Sequence, residues 1–565
     1  MEIKRLTEQL SVGPQITEPD LAILREKGFR SVICNRPDGE GADQPTFEEL
    51  ARSAKKLGLD MRYVPVTGGR VTDQDAADFD SSIKELPKPV FAYCRSGMRS
   101  TTLWSLSQAK SLSLPDIVRT AKGAGFDMNG VIRRIANGGK TPTDAPDGCY
   151  DLVIVGAGAG GISVAASLKK RMPELDIAII DPADTHYYQP GWTMVGGGVF
   201  DVEDTVRTMG SLIPKGVHWI KAAVAAFEPD KNVVILDGCR VVKYNRLVVT
   251  PGLKLDWAKV DGLVETLGRN GVTSNYRYDL APYTWNLVSE LKSGRALFTQ
   301  PPMPIKCAGA PQKAVYLSAD HWTRQGVIDD IDIQFHTAGG VLFGIKDYVP
   351  ALENYVKKYD IGLNYFHNLA AVDGPGKTAW FDVAKPDQPA ERVAVEFDMI
   401  HVTPPQAAPD FIAVSPLADA AGWVDVDQAT LRHVTYDNIW SLGDAMNAPN
   451  AKTAAAARKQ APVIAENIVA DINGHAPVAQ YDGYGSCPLT VEKGKIVLAE
   501  FGYGGTLQPS FPKWLIDGTK PSRAAWFLKE KLLPPIYWGA MLRGREWLAT
   551  PEPLSRHQGV RDGTQ

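Results

Sequence analysis

Over residues 1–138, apolar positions recur with two alternating periods. Short apolar runs, "RSVICNRP", "MRYVPV" and "PVFAYC", read as strands. Between and after them, "FEELARSAKKLG", "DQDAADFDSSIKEL", "LPDIVRTAKGAG" and "NGVIRRIANGG" carry apolar residues at helical spacing. This alternation predicts a small α/β domain with a parallel sheet. "GGKTPTDAPDGC", residues 138–149, is rich in Gly, Pro, Thr and Asp and has no apolar period, which marks a seam. The alternation then restarts at Tyr150, with no internal repeat. The expected organisation is a domain over 1–138, a linker over 139–149, a larger module over 150–510 and a C-terminal segment over 511–565.

The larger module opens with "YDLVIVGAGAGGISVAASLKKR". Gly156, Gly158 and Gly161 form GxGxxG directly after a strand and at a helix start, where glycines let the backbone approach a pyrophosphate. A second strand, "LDIAIID", ends in Asp181, placed for a ribose hydroxyl pair. "YNRLVVTPG", with Thr250 and Gly252, resembles the strand and turn that close the first nucleotide lobe of two-dinucleotide flavoproteins. "NIWSLGD" sets Gly443 and Asp444 ahead of an Ala-rich helix whose N-terminal dipole suits a flavin. The order of these elements selects FAD. The second lobe, "DIQFHTAGGVLFGIKDYVPALENYVKKY", lacks a GxGxxG, which argues against nicotinamide as the direct electron partner.

Composition adds limits. Apolar content of 44 % and 22 % charged residues describe a globular protein, and a net charge of -4 gives no electrostatic case for nucleic acid. Cys34, Cys94, Cys149, Cys239, Cys307 and Cys487 are too few and scattered for a disulfide framework. Reduced thiols in the cytoplasm are expected, and no metal site. "MEIKRLTEQL" does not read as a signal peptide, and no apolar run reaches the ~20 residues of a membrane-spanning helix.

Six further stretches coincide in one family: "HYYQPGWTMVGGG", "PIKCAGAPQKAVYLS", "IHVTPPQAAPDF", "KTAAAARKQAP", "YDGYGSCPLT" and "PPIYWGAMLRG". Residues 150–548 resemble sulfide:quinone oxidoreductases, specifically the branch with the mitochondrial enzymes. The resemblance implies a glutathione-reductase-like flavoprotein that oxidises sulfide at a flavin-side cysteine and passes electrons through FAD to a quinone. It adds Gln189 and Lys452 to the expected cofactor-binding residues and assigns Cys307 as the sulfur-taking cysteine. Lys306 and Lys313 are placed to lower that thiol's pKa. The family's second redox cysteine is expected after Gly443-Asp444, where this chain has Ala445. No replacement is evident: Cys487 sits in a stretch read as structural, and Cys239 in a surface turn, "LDGCR".

The N-terminal loop "CRSGMRS" places Arg95 and Arg99 around Cys94. A C-x5-R spacing would mark a tyrosine phosphatase; the shorter C-R-x-G-x-R resembles rhodanese sulfurtransferases. A smaller ring of backbone N–H groups suits a persulfide. Arg95, Arg99 and the following helix N-terminus would lower the Cys94 pKa. With "VICNRPDGE" the loop also resembles small bacterial phosphatase-like domains, in which Asp38 would serve as general acid or merely as a turn residue. Cys34 is expected to be a buried strand residue. Sulfurtransferase and phosphatase both stay open for this domain.

Residues 511–548 mix Trp514, Trp526, Phe527, Tyr537, Trp538 and Trp547 with Lys and Arg. Amphipathic helices at a membrane surface fit this pattern, and so does a core-docked or dimer-forming helix pair. The leading expectation is a bifunctional sulfur enzyme on the inner face of a membrane, with Cys94 passing sulfane sulfur to a small thiol or sulfite. The alternatives are an NAD(P)H-dependent persulfide or disulfide reductase, and a flavin-dependent redox sensor controlling a phosphatase-like domain. A homo-oligomer is compatible with each.

Overall fold

The computed structural model describes residues 1–41, 44–68, 71–142, 148–237, 240–385, 388–449 and 451–554. Cys239, and residues 143–147 and 555–565 of the expected linker and tail, lie outside the described residues. The chain divides into two compact units. The first is Met1–Cys149 with Ala222–Tyr244 and Asp410–Ala418; the second holds the remainder. Two later segments therefore join the first unit, which adjacency along the chain does not suggest.

In the first unit, strands β1 (Lys4–Arg5), β2 (Leu10–Gly13), β3 (Ser31–Cys34), β4 (Asp60–Tyr63) and β5 (Val90–Tyr93) form one sheet in the order β1-β2-β5-β3-β4. All neighbours are parallel except β1 and β2. Every residue of β5 is buried, and its side chains alternate between two cores. Val90 and Ala92 pack with Phe79, Leu103 and Trp104; Phe91 and Tyr93 pack with Leu21, Leu24 and Leu50. That two-faced burial is what a parallel strand flanked by helices requires, and burying a side chain such as Phe79 contributes ~1.5–3 kcal/mol. Helices α1 (Glu18–Glu26), α2 (Phe47–Lys56), α3 (Asp73–Glu85), α4 (Met98–Ser107), α5 (Leu114–Gly123) and α6 (Ile132–Ala136) complete the unit. Thr46 with Glu49 and Thr72 with Asp75 close capping boxes that start α2 and α3. The central position of β5 places the loop after Tyr93, with Cys94, at the sheet's C-terminal edge.

The second unit begins its first lobe with β6 (Gly148–Val155), α7 (Ala159–Arg171) and β7 (Ile177–Ile180). Strand Val217–Ile220 runs parallel to β7, and Ile439–Ser441 lies parallel to the end of Val241–Val249. A second, all-parallel sheet has the order Val272–Thr273, Met399–His401, Gly294–Gln300, Ile331–Thr337, Gly362–Tyr365. A hairpin, Gly485–Glu492 with Lys495–Phe501, shares a core with helix Ala310–Gln325: Leu489 and Val497 pack with Tyr316 and Trp322. Two nucleotide-type lobes plus this hairpin make the flavoprotein architecture.

The tail helix runs from Arg523–Phe527 through one π turn, 528–532, into Leu533–Gly539. The aromatics of the tail segment 511–548 divide. Trp526 and Tyr537 are buried, whereas Trp514, Phe527 and Trp547 are 85 %, 56 % and 61 % exposed. Among the described residues, no helix is long and apolar enough to cross a membrane.

Candidate functional site

The first-lobe glycines build a cradle. A Cβ on Gly161 would lie 1.9 Å from the Gly156 carbonyl oxygen, so only glycine lets α7 approach β6. At Gly158, which caps α7, and at Gly252, an added Cβ would meet nothing within 4 Å, leaving the room a pyrophosphate needs. Asp181 is fixed at the end of β7, its two carboxylate oxygens accepting from the Ala157 and Ala183 N–H groups at 2.7 and 2.8 Å. Gly443 N–H donates to Gln460 Oε1 at 2.8 Å, and the Thr250 hydroxyl lies 3.9 Å from a Cβ built on Gly443. Lys452 is buried, its Nζ donating to the carbonyls of Asp444 and Met446 at 2.9 and 2.8 Å, with the Trp423 ring at 4.1 Å. Burial pushes its ammonium down to about 8 and the Asp444 carboxyl up. These residues fit a dinucleotide cofactor of the FAD type.

A thiol pair adjoins this cradle. Cys307 N–H donates to the Lys452 carbonyl at 2.9 Å, and Cys307 has a left-handed φ of 50°, two residues before the Gly309 cap of helix Ala310–Gln325. Its sulfur lies 3.9 Å from that of Cys487, on the hairpin. A Cβ on Gly309 would sit 2.5 Å from the Cys487 sulfur, so a bare glycine is what admits the hairpin cysteine. Lys313, one turn into the helix, donates to the Cys307 sulfur at 3.1 Å. The Cys487 thiol hydrogen bond, and then the Lys313 charge, hold Cys307 well below the ordinary thiol range against the opposing effect of burial. Cys487 is pushed the other way by the Cys307 sulfur and by burial. The Lys313 contact favours Cys307 as the more acidic thiol of the pair. Lys529, 2 % exposed, donates to the Pro190 carbonyl at 3.0 Å, and burial pushes its ammonium down to about 7.

The structure adds detail to two sequence expectations. Ala445 does not leave Cys307 without a neighbouring sulfur, since Cys487, read as structural, lies 3.9 Å away. Lys306 acts on Cys307 by charge only, its Nζ donating to Gln189 Oε1 at 2.7 Å, while Lys313 makes the contact. The one signal that could have found Cys487 is elimination. Within the module it is the only other cysteine away from the module's edge and from a turn.

In the first unit, Cys94 is buried and its sulfur accepts the Gly97 N–H at 3.1 Å. Gly97 caps α4 with φ 93°, and a Cβ there would lie 2.8 Å from the Phe126 ring. Arg95 is exposed. Arg99 donates through both terminal nitrogens to Glu40, at 2.9 and 2.6 Å, and to the Val66 carbonyl at 2.6 Å. Glu40 was not singled out by the sequence, although it ends the quoted stretch "VICNRPDGE". Asp38 is exposed, with one carboxylate oxygen accepting the first N–H of α2, from Phe47, at 2.9 Å, the part of a turn and capping residue. Cys34 is buried, as expected, and burial pushes its thiol up.

The lobes, cradle and dithiol together define a flavoprotein of the disulfide-oxidoreductase class, and residues 150–297 match the family model for pyridine nucleotide-disulphide oxidoreductases. Over 420 residues the chain is 42 % identical to the mitochondrial sulfide:quinone oxidoreductase of Dictyostelium discoideum, covering 74 % of this chain and 91 % of that protein. The chain belongs to the sulfide:quinone oxidoreductase family. The sulfide:quinone oxidoreductase structure from Aquifex aeolicus shares the fold, with a TM-score of 0.59 at 19 % identity over 71 % of this chain and 96 % of that one. Residues 2–111 match the phosphatase-like domain of the beta-lactamase hydrolase-like protein family. The Agrobacterium fabrum protein of that name is 35 % identical over 130 residues, 23 % of this chain and 30 % of that protein.

Proposed function

We propose that this enzyme oxidises sulfide to sulfane sulfur at the Cys307–Cys487 pair and delivers the electrons to a membrane quinone. The carrying observation is two sulfurs 3.9 Å apart, one held as thiolate by Lys313, on a loop bonded to Lys452 of the cofactor cradle. Bound by Gly156, Gly158, Gly161, Asp181, Gln189, Thr250, Gly252, Gly443, Asp444 and Lys452, FAD would relay two electrons from the dithiol to the quinone.

The chain's own chemistry follows from the unequal thiols. In the oxidised pair, hydrosulfide attacks one sulfur of the disulfide, and the sulfur of the more acidic thiol leaves faster. Attack therefore falls on Cys487 and not on Cys307, the cysteine that the family resemblance assigns as sulfur-taking; the S–S bond breaks and its electron pair departs on Cys307, where Lys313 receives the thiolate. Cys487 is left as a persulfide carrying the hydrosulfide proton. Transfer of the outer sulfur to a nucleophile such as sulfite or a thiol returns Cys487 as a thiol. Re-forming the disulfide from the Cys307 thiolate and Cys487 thiol releases one proton and two electrons. Cys94, with Arg95 and Arg99, serves as a further sulfur-transferring thiol. The exposed Trp514, Phe527 and Trp547 support peripheral attachment, on the inner face of a membrane, next to the quinone.

The nicotinamide-dependent alternative is disfavoured by the second lobe. The turn after strand Ile331–Thr337 carries no GxGxxG, and a Cβ on Gly340 there would lie 2.5 Å from the Phe366 ring.

Anaerobic titration of the flavin-loaded protein tests the reading. Sulfide should bleach the flavin and added quinone restore it, while Cys307→Ala and Cys487→Ala should each abolish bleaching. Normal turnover in either variant would sink the assignment.

A further inference from the structure

The charges around Cys94 bear on which sulfur donor its loop takes. Glu40 bridges two guanidiniums: Arg99 binds both its oxygens at 2.9 and 2.6 Å, and Arg36 Nε donates to Oε2 at 2.9 Å. Arg36 is itself fixed by Gln15 Oε1 at 3.1 Å. The side chains of Arg36, Arg99 and Glu40 are only 11 %, 12 % and 28 % exposed, so these charges are partly shielded from solvent. The Arg99 hydrogen bond, reinforced by Arg36, holds the Glu40 carboxyl below the usual carboxylate range. The Nη1–Nη2 edge of Arg99 is thus spent on Glu40 and the Val66 carbonyl, and a fixed negative charge stands beside the loop.

An arginine whose fork already holds a carboxylate is a weakened receptor for a tetrahedral dianion, since the second anion meets the first at close range. Phosphomonoester cleavage with a poor leaving group also needs a proton donor. Here Glu40 is held as an anion by two guanidiniums, and Asp38 has one carboxylate oxygen committed to the Phe47 N–H at the start of α2. Sulfur transfer from a persulfide needs neither a dianion site nor an external acid. The overall step is Cys94–SH plus R–S–S⁻ giving Cys94–S–S⁻ plus R–SH. The bond between R–S and its outer sulfur breaks, the electron pair stays on R–S, and that sulfur takes the proton Cys94 gives up. One negative charge sits at the loop before and after.

Building on the reading of Cys94 as a sulfur-transferring thiol, we propose that Glu40 is the specificity-determining residue of this loop. It selects monoanionic organic persulfides over phosphate monoesters and thiosulfate.

The test uses the full-length flavin-loaded protein, with Cys94-dependent transfer taken as the difference from a Cys94→Ser control. Sulfur transfer to cyanide is measured from glutathione persulfide and from thiosulfate, with inorganic phosphate as inhibitor. Glu40→Gln should lower the KM for thiosulfate and the Ki for phosphate by about tenfold at low salt, with the gain shrinking as ionic strength rises. Its kcat with glutathione persulfide should stay within about twofold, and Glu40→Asp, which keeps the charge, should retain the wild-type preference. Unchanged or weaker dianion binding in Glu40→Gln overturns the proposal and leaves Glu40 as a positioning residue for Arg99. Persulfide transfer unaltered in Cys94→Ser would instead reject the underlying reading of Cys94, a separate result.

Discussion

At Cys307 a thiolate is favoured in a largely apolar setting because a lysine ammonium lies 3.1 Å from the sulfur, with the Cys487 sulfur beside it. Burial acting alone would raise the pKa of such a group. Lys313 is held up in turn: burial pushes its ammonium down, and the two sulfurs outweigh that effect. The pH dependence has a definite sign. The Cys307 folded pKa is depressed, so its reactive form is present above that lowered pKa and is lost as pH falls through it. In Lys313→Met the acid limb should move to higher pH. Alkylation of Cys307 by iodoacetamide in the reduced protein, followed by mass spectrometry at neutral pH, should slow by about tenfold. An unmoved limb would mean that Cys487, not Lys313, sets the thiolate. Residues 307 and 313 were legible as a pair from spacing along one helix start. Cys487 was not, because its contact depends on where a hairpin 180 positions away folds back.

At the scale of elements, the tail shows how far a pattern of aromatics can be read. The sequence treats Trp514, Trp526, Phe527, Tyr537, Trp538 and Trp547 as one amphipathic set. The fold divides them, since Tyr537 turns inward to bond His186 Nε2 at 2.7 Å and Trp526 enters a core with Met194 and Leu498. Core docking holds for Trp526 and Tyr537, while Trp514, Phe527 and Trp547 stay exposed. The exposed members should carry membrane attachment. Replacing Trp514, Phe527 and Trp547 together by Ala should reduce partition onto phospholipid vesicles by tenfold or more, at ~1.5–3 kcal/mol per apolar side chain before losses to partial insertion. Vesicle sedimentation measures this, and activity with a water-soluble quinone should be unaffected. Unchanged partition would move the membrane contact elsewhere.

For the whole molecule, two thiol sites on one chain make a separable prediction. Cys94→Ala should leave sulfide bleaching and quinone reoxidation of the flavin within about twofold of wild type, while persulfide-derived products from the first unit disappear. Product analysis by mass spectrometry, run beside the flavin spectrum, reads both. Loss of bleaching in this variant would show that the flavin chemistry depends on Cys94 and that the two sites are not separable. The sequence by itself determined the α/β character of both parts, the dinucleotide glycines and the two candidate thiols Cys94 and Cys307. These rest on local rules: strand period, helix period, turn glycines and fixed motif spacing. Only the tertiary structure decided that Cys487 lies beside Cys307, that Lys313 is the lysine in contact with the sulfur, and that Glu40 occupies Arg99. Each of those is a contact between side chains brought together by packing, and packing is set by the burial of whole faces, which no local period records.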